Sequence, residues 1–247
     1  MTDSLRAVAA DVVGCRRCPR LVAWREHTAA SPPARFRGQR YWARPLPGFG
    51  DPKATVVVLG LAPAADGGNR TGRIFTGDRS GEWLYRALHR AGYANQPTSV
   101  SRDDGLKLVG AYVCAAVRCA PPANRPTPSE RDNCLGYLVR ELALLQHARV
   151  VVALGSFAWD AALRAARQAG HLAPRPRPAF GHRACARVGK WWLLGSYHPS
   201  QRNTFTGTLT EQMFDGVFAD AKRLAVRGSR SAARADPAGG NRSLESR

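Results

Sequence analysis

The sequence predicts an α/β fold, a parallel sheet with helices on both faces, and three observations carry that reading. Four short apolar runs, at 55–60, 110–117, 149–155 and 191–197, are β-branched or aromatic and do not alternate with polar residues. Strands covered on both faces look like this. Helical patterns fall between and after them, at about 79–92, 129–147, 156–169 and 209–225. Strands that alternate with helices favour a parallel sheet. Finally, each apolar run leads into a segment rich in polar, glycine or proline residues. In open α/β sheets, ligands bind just beyond the carboxyl ends of the strands.

The elements follow in chain order. Residues 4–14 have the pattern of a short amphipathic helix, and 28–52, with "SPPARFRG" and "RPLPGFGDP", read as an irregular loop. The first strand, "TVVVLG", runs into "GLAPAADGGNRTGRIFTGD", which carries five glycines and no G-K-[ST] closure. It is therefore not a standard phosphate loop. The later strands lead into "RCAPPANRP", "GSFAW" and "HPSQRNTFTG". At 247 residues the chain suits one good-sized domain, expected over 1–226. The tail from Arg227, residues 227–247, is polar, basic and aperiodic, and is expected to be disordered. No internal repeat is visible.

Charge narrows the partner. Thirty-seven Lys and Arg oppose eighteen Asp and Glu, for a net charge of +19. Such an excess suits a polyanion, nucleic acid before an anionic membrane. An Arg- and Ala-rich composition accounts for part of it. No run of eighteen apolar residues suggests a membrane span, and the N-terminus lacks a signal-peptide pattern, so a cytoplasmic location is expected.

Six cysteines are present: Cys15, Cys18, Cys114, Cys119, Cys134 and Cys185. Cytoplasmic proteins rarely hold structural disulfides. Cys15 and Cys18 form a C-x-x-C, and the loop from Cys119 can fold back towards Cys134 to give a second pair. Four thiolates from two distant segments can hold zinc or an iron–sulfur cluster, and spacing does not choose between them. Cys119 and Cys134 also read as small buried apolar residues. Cys114, in an apolar run, and Cys185, in a basic loop, read as inert.

Taken together, "GLAPAADGGNRTGRIFTGD", "VRCAPPANRPTPSE" and "HPSQRN" resemble the three signature segments of the uracil-DNA glycosylase superfamily. The likeness covers about residues 10–225 and is strongest to family 5, the type B enzymes. It implies a three-layer α/β/α sandwich around a four-stranded parallel sheet. It also implies a [4Fe–4S] cluster held by Cys15, Cys18, Cys119 and Cys134. The implied activity is flipping and excision of uracil from double-stranded DNA, leaving an abasic site. The protein is expected to work as a monomer at the nucleoid.

Breaking an N-glycosidic bond leaves negative charge on the departing base and positive charge on the sugar. The base must first leave the stack, and donors must meet it. The resemblance makes Phe75 the ring that stacks on the base, although Phe75 also reads as a core residue. His198, after the last strand, and Asn124, in "PPANRP", are the expected donors. Asp78 closes the first motif and suits water positioning or stabilisation of the sugar, and equally suits an N-cap for the helix starting at Arg79. Asp66 is a weaker rival. Ala62 and Ala115 stand where many relatives carry polar, base-reading or water-activating residues. An alanine offers no such contact, so a broader pocket is expected, one that also accepts hypoxanthine and ethenocytosine. Arg70, Arg73, Arg125 and Arg202 are expected to meet DNA phosphates, with Phe205 as a wedge in the duplex. A related enzyme that traps uracil-DNA covalently carries a basic insert before the His motif, and none is visible here. A non-catalytic nucleic-acid binder with a structural zinc held by the four cysteines would use the same charge and aromatics, but leaves Asp78, Asn124 and His198 without a purpose. A redox carrier fits the basic surface poorly.

Overall fold

The computed structural model describes residues 2–171 and 174–233. Its centre is a sheet of six strands in the order β1-β3-β2-β4-β6-β5. The four expected strands form its parallel middle: β2 (Val56–Gly60), β3 (Ala111–Ala115), β4 (Val150–Leu154) and β6 (Trp191–Ser196). Two short antiparallel strands flank them, β1 (Phe49–Gly50) on β3 and β5 (Cys185–Val188) on β6. The expected four-stranded sheet is thus extended at both edges. Neither addition is a continuous apolar run: β1 is two residues long, and β5 has exposed Cys185 and Arg187, half-buried Ala186 and only Val188 buried.

Side-chain alternation along the strands builds two cores. Val56, Val58, Val113, Val150, Val152 and Leu194 face one layer. There they meet α4 (Arg79–Arg90), through Leu84, Tyr85 and Leu88, and α8 (Glu211–Ala233), through Phe214, Val217 and Phe218. Val57, Leu59, Tyr112, Val151 and Leu193 face the other. They pack on α5 (Pro128–Leu144) and α6 (Ser156–Gln168) through Leu138, Leu142, Trp159 and Leu163. The period of two in a strand makes this division possible, and the result is the expected α/β/α sandwich.

The remaining helices are α1 (Leu5–Val13), α2 (Pro19–Ala30), α3 (Gly68–Thr71) and α7 (Gln201–Phe205). Helix α1 lays Val8 and Val12 against Tyr137 of α5. Helix α2 was not legible as a helix. It opens with Pro19 at its first position and buries only Leu21 and Arg25, so it lacks a strong apolar stripe. Residues 28–52 are otherwise irregular apart from one 3-10 turn at Ala34–Phe36 and β1, as expected. Helix α8 continues to Ala233, seven residues past the expected end of the domain at 226. The rest of the expected disordered tail lies outside the described residues.

Candidate active site

The loop 61–78 leaves β2 and is locked to the sheet end by a dense set of bonds. Arg73 is buried and donates to Thr76 Oγ1, Ser99 Oγ and both carboxylate oxygens of Asp104. Tyr85 donates its hydroxyl to the Ile74 carbonyl at 2.9 Å. Arg70 donates to the carbonyls of Asp66 and Gly77 and to Gln39 Oε1, with its guanidinium over the Phe36 ring. Two of the arginines expected at DNA phosphates are thus already engaged within the protein. Arg73 is closed off inside the protein by its Asp104 pair, and Arg70 gives one hydrogen bond from each guanidinium nitrogen, two to the loop's carbonyls and one to Gln39. Asp66 is also turned outward, accepting from Tyr41 and Arg35.

This bracing holds Phe75 in an unusual backbone state, φ 52°. A non-glycine residue there is strained by roughly 1–3 kcal/mol and needs surrounding structure to hold it. The ring lies over Gly60 at the end of β2, where an added Cβ would come within 2.6 Å of it. Its other neighbour is His198, with ring centroids 6.0 Å apart and planes inclined by 30°. Phe75 is therefore both a core member and a wall of the sheet end.

His198 follows β6 and stands beside Gly155, at the end of β4. Asn203 Nδ2 donates to the His198 carbonyl at 2.8 Å and fastens the loop into α7. Among the described residues the His198 ring nitrogens have no hydrogen-bond partner. Burial lowers the imidazole pKa to about 4, so the ring is neutral at pH 7. A neutral imidazole still offers one N–H donor.

Asp78 caps α4: its Oδ1 accepts from the Gly81 amide at 2.9 Å. Its Oδ2 sits against Gly67, whose hypothetical Cβ would be 2.0 Å away. Burial raises the carboxyl pKa, and the Gly81 and Ser80 amides only partly offset this. Asn124 is exposed and lies beyond β3 in a left-handed pair with Ala123, at φ 55° and 52°. Its side chain has no partner among the described residues. Ala115 ends β3 opposite Gly60, buried on the same core face as Phe75. Ala62 turns to a different neighbour and packs against the cysteine cluster.

That cluster gathers Cys18, Cys119 and Cys134 around Leu21 and Val117, and Cys15 stands close by against Tyr137. All are free thiols. Burial raises the Cys119 thiol to about 12 and Cys134 to about 11, and each also feels Cys15. Buried Arg25 donates to Cys119 Sγ at 3.0 Å, and Asn133 Nδ2 donates to Cys18 Sγ at 3.4 Å. A buried guanidinium aimed at sulfur suits negative charge on that sulfur. Sequence reading missed Arg25, although its place seven residues after Cys18, two helical turns on, puts both on one face. Among the described residues no group of three or more Cys, His, Asp or Glu is fit to hold a single metal ion. Cys114 is buried in β3 and Cys185 is exposed on β5.

Arg125 and Arg202 are exposed, and among the described residues their side chains are unpaired. Phe205, at the end of α7, is 69% exposed with the Arg79 guanidinium 4.3 Å from its ring centroid. No helix among the described residues is long and apolar enough to cross a membrane.

Fold and site together define an α/β/α sandwich in which the loops after its parallel strands bring Phe75 and His198 together at the sheet end. The chain belongs to the uracil DNA glycosylase superfamily, in its type-5 branch: the superfamily profile matches residues 47–222. It is 53% identical over 213 residues to the type-5 uracil-DNA glycosylase of Mycobacterium tuberculosis, covering 85% of this chain and 78% of that one. It is 50% identical over 220 residues to the type-5 uracil-DNA glycosylase of Thermus thermophilus, covering 87% and 95%. The type-4 uracil-DNA glycosylase of Archaeoglobus fulgidus is 35% identical over 114 residues, 46% of this chain and 49% of that one.

Proposed function

We propose that the protein excises uracil from double-stranded DNA and leaves an abasic site. The observation that carries this reading is the neutral, unpartnered imidazole of His198 facing the Phe75 ring at the sheet end. The bond between C1′ and the base nitrogen breaks, and its electron pair leaves with the base. His198 donates a hydrogen bond to the base oxygen that gains charge, without giving up its proton. Asn124, whose amide is free, is a second donor. Phe75 supplies the face against which the flipped base lies. Asp78 lies near the cationic sugar and orients the water, whose hydroxyl goes to C1′ and whose proton balances the released base. Losing one such preorganised donor typically costs on the order of a hundredfold in rate.

The alanines at 62 and 115 bear on the breadth of the pocket. Neither offers a polar contact that would restrict the site to one base, and hypoxanthine and ethenocytosine are further proposed substrates. Ala115 is the better placed of the two, since it shares a core face with Phe75. Exposed Arg125 and Arg202 would meet phosphates, and Phe205 would enter the duplex. The protein would act as a monomer at the nucleoid in the cytoplasm.

A [4Fe–4S] cluster at the four thiols is part of this reading. Cys18, Cys119 and Cys134 share one buried cluster with Cys15 close by, and the buried Arg25 guanidinium donates to Cys119 Sγ. Cys15, Cys18, Cys119 and Cys134 would hold the cluster, which would tie α1 and α2 to the loop after β3. The proposed role is structural, and no chemical step passes through it. The purified protein should be brown, and Cys15→Ser should lower its iron content and stability. Full iron and unchanged melting would reject the assignment.

The decisive assay is single-turnover release of uracil from duplex DNA, read as alkali-labile abasic sites. Wild-type protein should release it, while His198→Ala and Asn124→Ala should be slowed about a hundredfold with DNA binding kept. Binding without release by wild-type protein would leave the non-catalytic reading standing.

A further inference from the structure

On the outer side of the loop 61–78 lies a cleft of about 550 Å³, lined by Arg40, Trp42, Arg44, Arg70 and Arg102 among others. We infer that this cleft is a second DNA-backbone site, in which Arg40, Arg44 and Arg102 clamp the phosphodiester strand that flanks the flipped nucleotide. The inference rests on the proposed glycosylase reading.

Three observations support it. First, the guanidinium charges are uncommitted. Arg40 and Arg44 have no ion pair among the described residues, and Arg102 has a single 4.0 Å contact with the fully solvated Asp103. Arginines that serve stability are paired in this protein, as Arg73, Arg118 and Arg131 are.

Second, two of the three charges, those of Arg44 and Arg102, are held in place. The Trp42 ring carries the Arg102 guanidinium at 4.8 Å and the Arg44 guanidinium at 5.9 Å from its centroid. Such cation–π contacts fix a guanidinium without neutralising it.

Third, both walls are rigid. Trp42 and Ala43 donate their amides to the carbonyls of Arg70 and Asn69. Opposite, Asp104 accepts from the amides of Val100, Ser101 and Leu106 while it pairs with buried Arg73. Arg73 also donates to the Arg102 carbonyl. The buried pair thus shapes the turn that presents Arg102. Preorganised arginines lose little entropy when they meet phosphate. The cleft and the base site share one loop, so a strand whose base stands at Phe75 runs past both.

The test compares wild-type protein with the triple variant R40A/R44A/R102A and with R40K/R44K/R102K. Binding to a duplex with one abasic analogue is measured by fluorescence anisotropy across a salt series. Each phosphate contact contributes about 0.9 to the slope of log K against log salt. The alanine variant should bind at least about tenfold more weakly at low salt, with a slope flatter by about 2 to 3. The lysine variant should keep most of the slope. Wild-type affinity and slope in the alanine variant, with melting unchanged, would overturn the inference. Failure of wild-type protein to release uracil would instead sink the glycosylase reading, while the anisotropy comparison would still report on the cleft.

Discussion

The ring of Phe75 faces the imidazole of His198 with centroids 6.0 Å apart, a direct aromatic contact between residues far apart in the chain. One comes from the loop after β2 and the other from the loop after β6. Their meeting makes a surface that is apolar on one side and carries a neutral donor on the other. A flipped, planar, oxygen-bearing base needs both.

Gly60 is the support on which Phe75 rests. A Cβ there would stand 2.6 Å from the ring, closer than side chains tolerate. Gly60→Ala should therefore push the ring out of place while β2 stays paired on both sides. Ångström-scale misplacement in a reactive site costs up to about a hundredfold in rate. We expect at least a tenfold loss of single-turnover uracil release, with far-UV circular dichroism preserved. A wild-type rate in this variant would remove Phe75 from the base site.

The His198 imidazole titrates at about 4 in the folded chain, below its ordinary value near 6.5, because burial disfavours the charged form. Between those two values the unfolded chain binds the extra proton. This group's contribution to stability is therefore complete above pH 6.5 and is lost as pH falls towards 4. The melting temperature of wild-type protein should drop on acidification across that window, and less so in His198→Gln. The neutral donor persists throughout, so uracil release should show no step near pH 6.5. A step there would mean that His198 works as a cation.

Asp78 serves as a helix cap whatever else it does, and replacing such a cap by alanine costs about 1 kcal/mol. Asparagine caps equally well but carries no charge. Burial raises the Asp78 pKa, so its ionised form gains nothing from folding, and that loss grows as pH rises through the folded value. Asp78→Asn should thus melt at the wild-type temperature or above at pH 7. If the charge stabilises the sugar, uracil release falls on the order of a hundredfold in the same variant. Unchanged release with unchanged melting would leave Asp78 a cap alone.

Arg73 and Asp104 form a buried pair at 2.7 Å. Burial alone would raise the Asp104 carboxyl, but the guanidinium and three backbone amides overcome it and hold the pKa well below the carboxylate range. Removing one partner of such a pair costs about 3–5 kcal/mol. Arg73→Met should lower the melting temperature by many degrees. The stability that depressed carboxyl supplies is present above pH 4 and is lost as the medium turns more acid. The salt slope of DNA binding should flatten by at most about one, the contact of Arg102 whose turn the pair shapes, if Arg73 itself makes no phosphate contact.

Much of this protein was legible in its sequence because the signals are local. Apolar runs without alternation placed β2, β3, β4 and β6, and helical spacing placed α4, α5, α6 and α8. The turn chemistry after each strand marked the sheet end where Phe75 and His198 meet. Asp78 as an N-cap was readable because a cap and its helix are neighbours in the chain. What the tertiary structure alone decided depends on partners far apart in sequence. Arg73 and Arg102 look alike in a charge count, yet one is neutralised by Asp104 and buried while the other stands open over Trp42. The edge strands β1 and β5 exist because β3 and β6 offer them unpaired backbone, and their own residues form no continuous apolar run. Arg25 reaches Cys119 across ninety-four residues. A guanidinium has the same composition wherever it sits. Whether it binds phosphate, sulfur or a carboxylate is set by which oxygen, sulfur or ring the fold brings within a few ångströms of it.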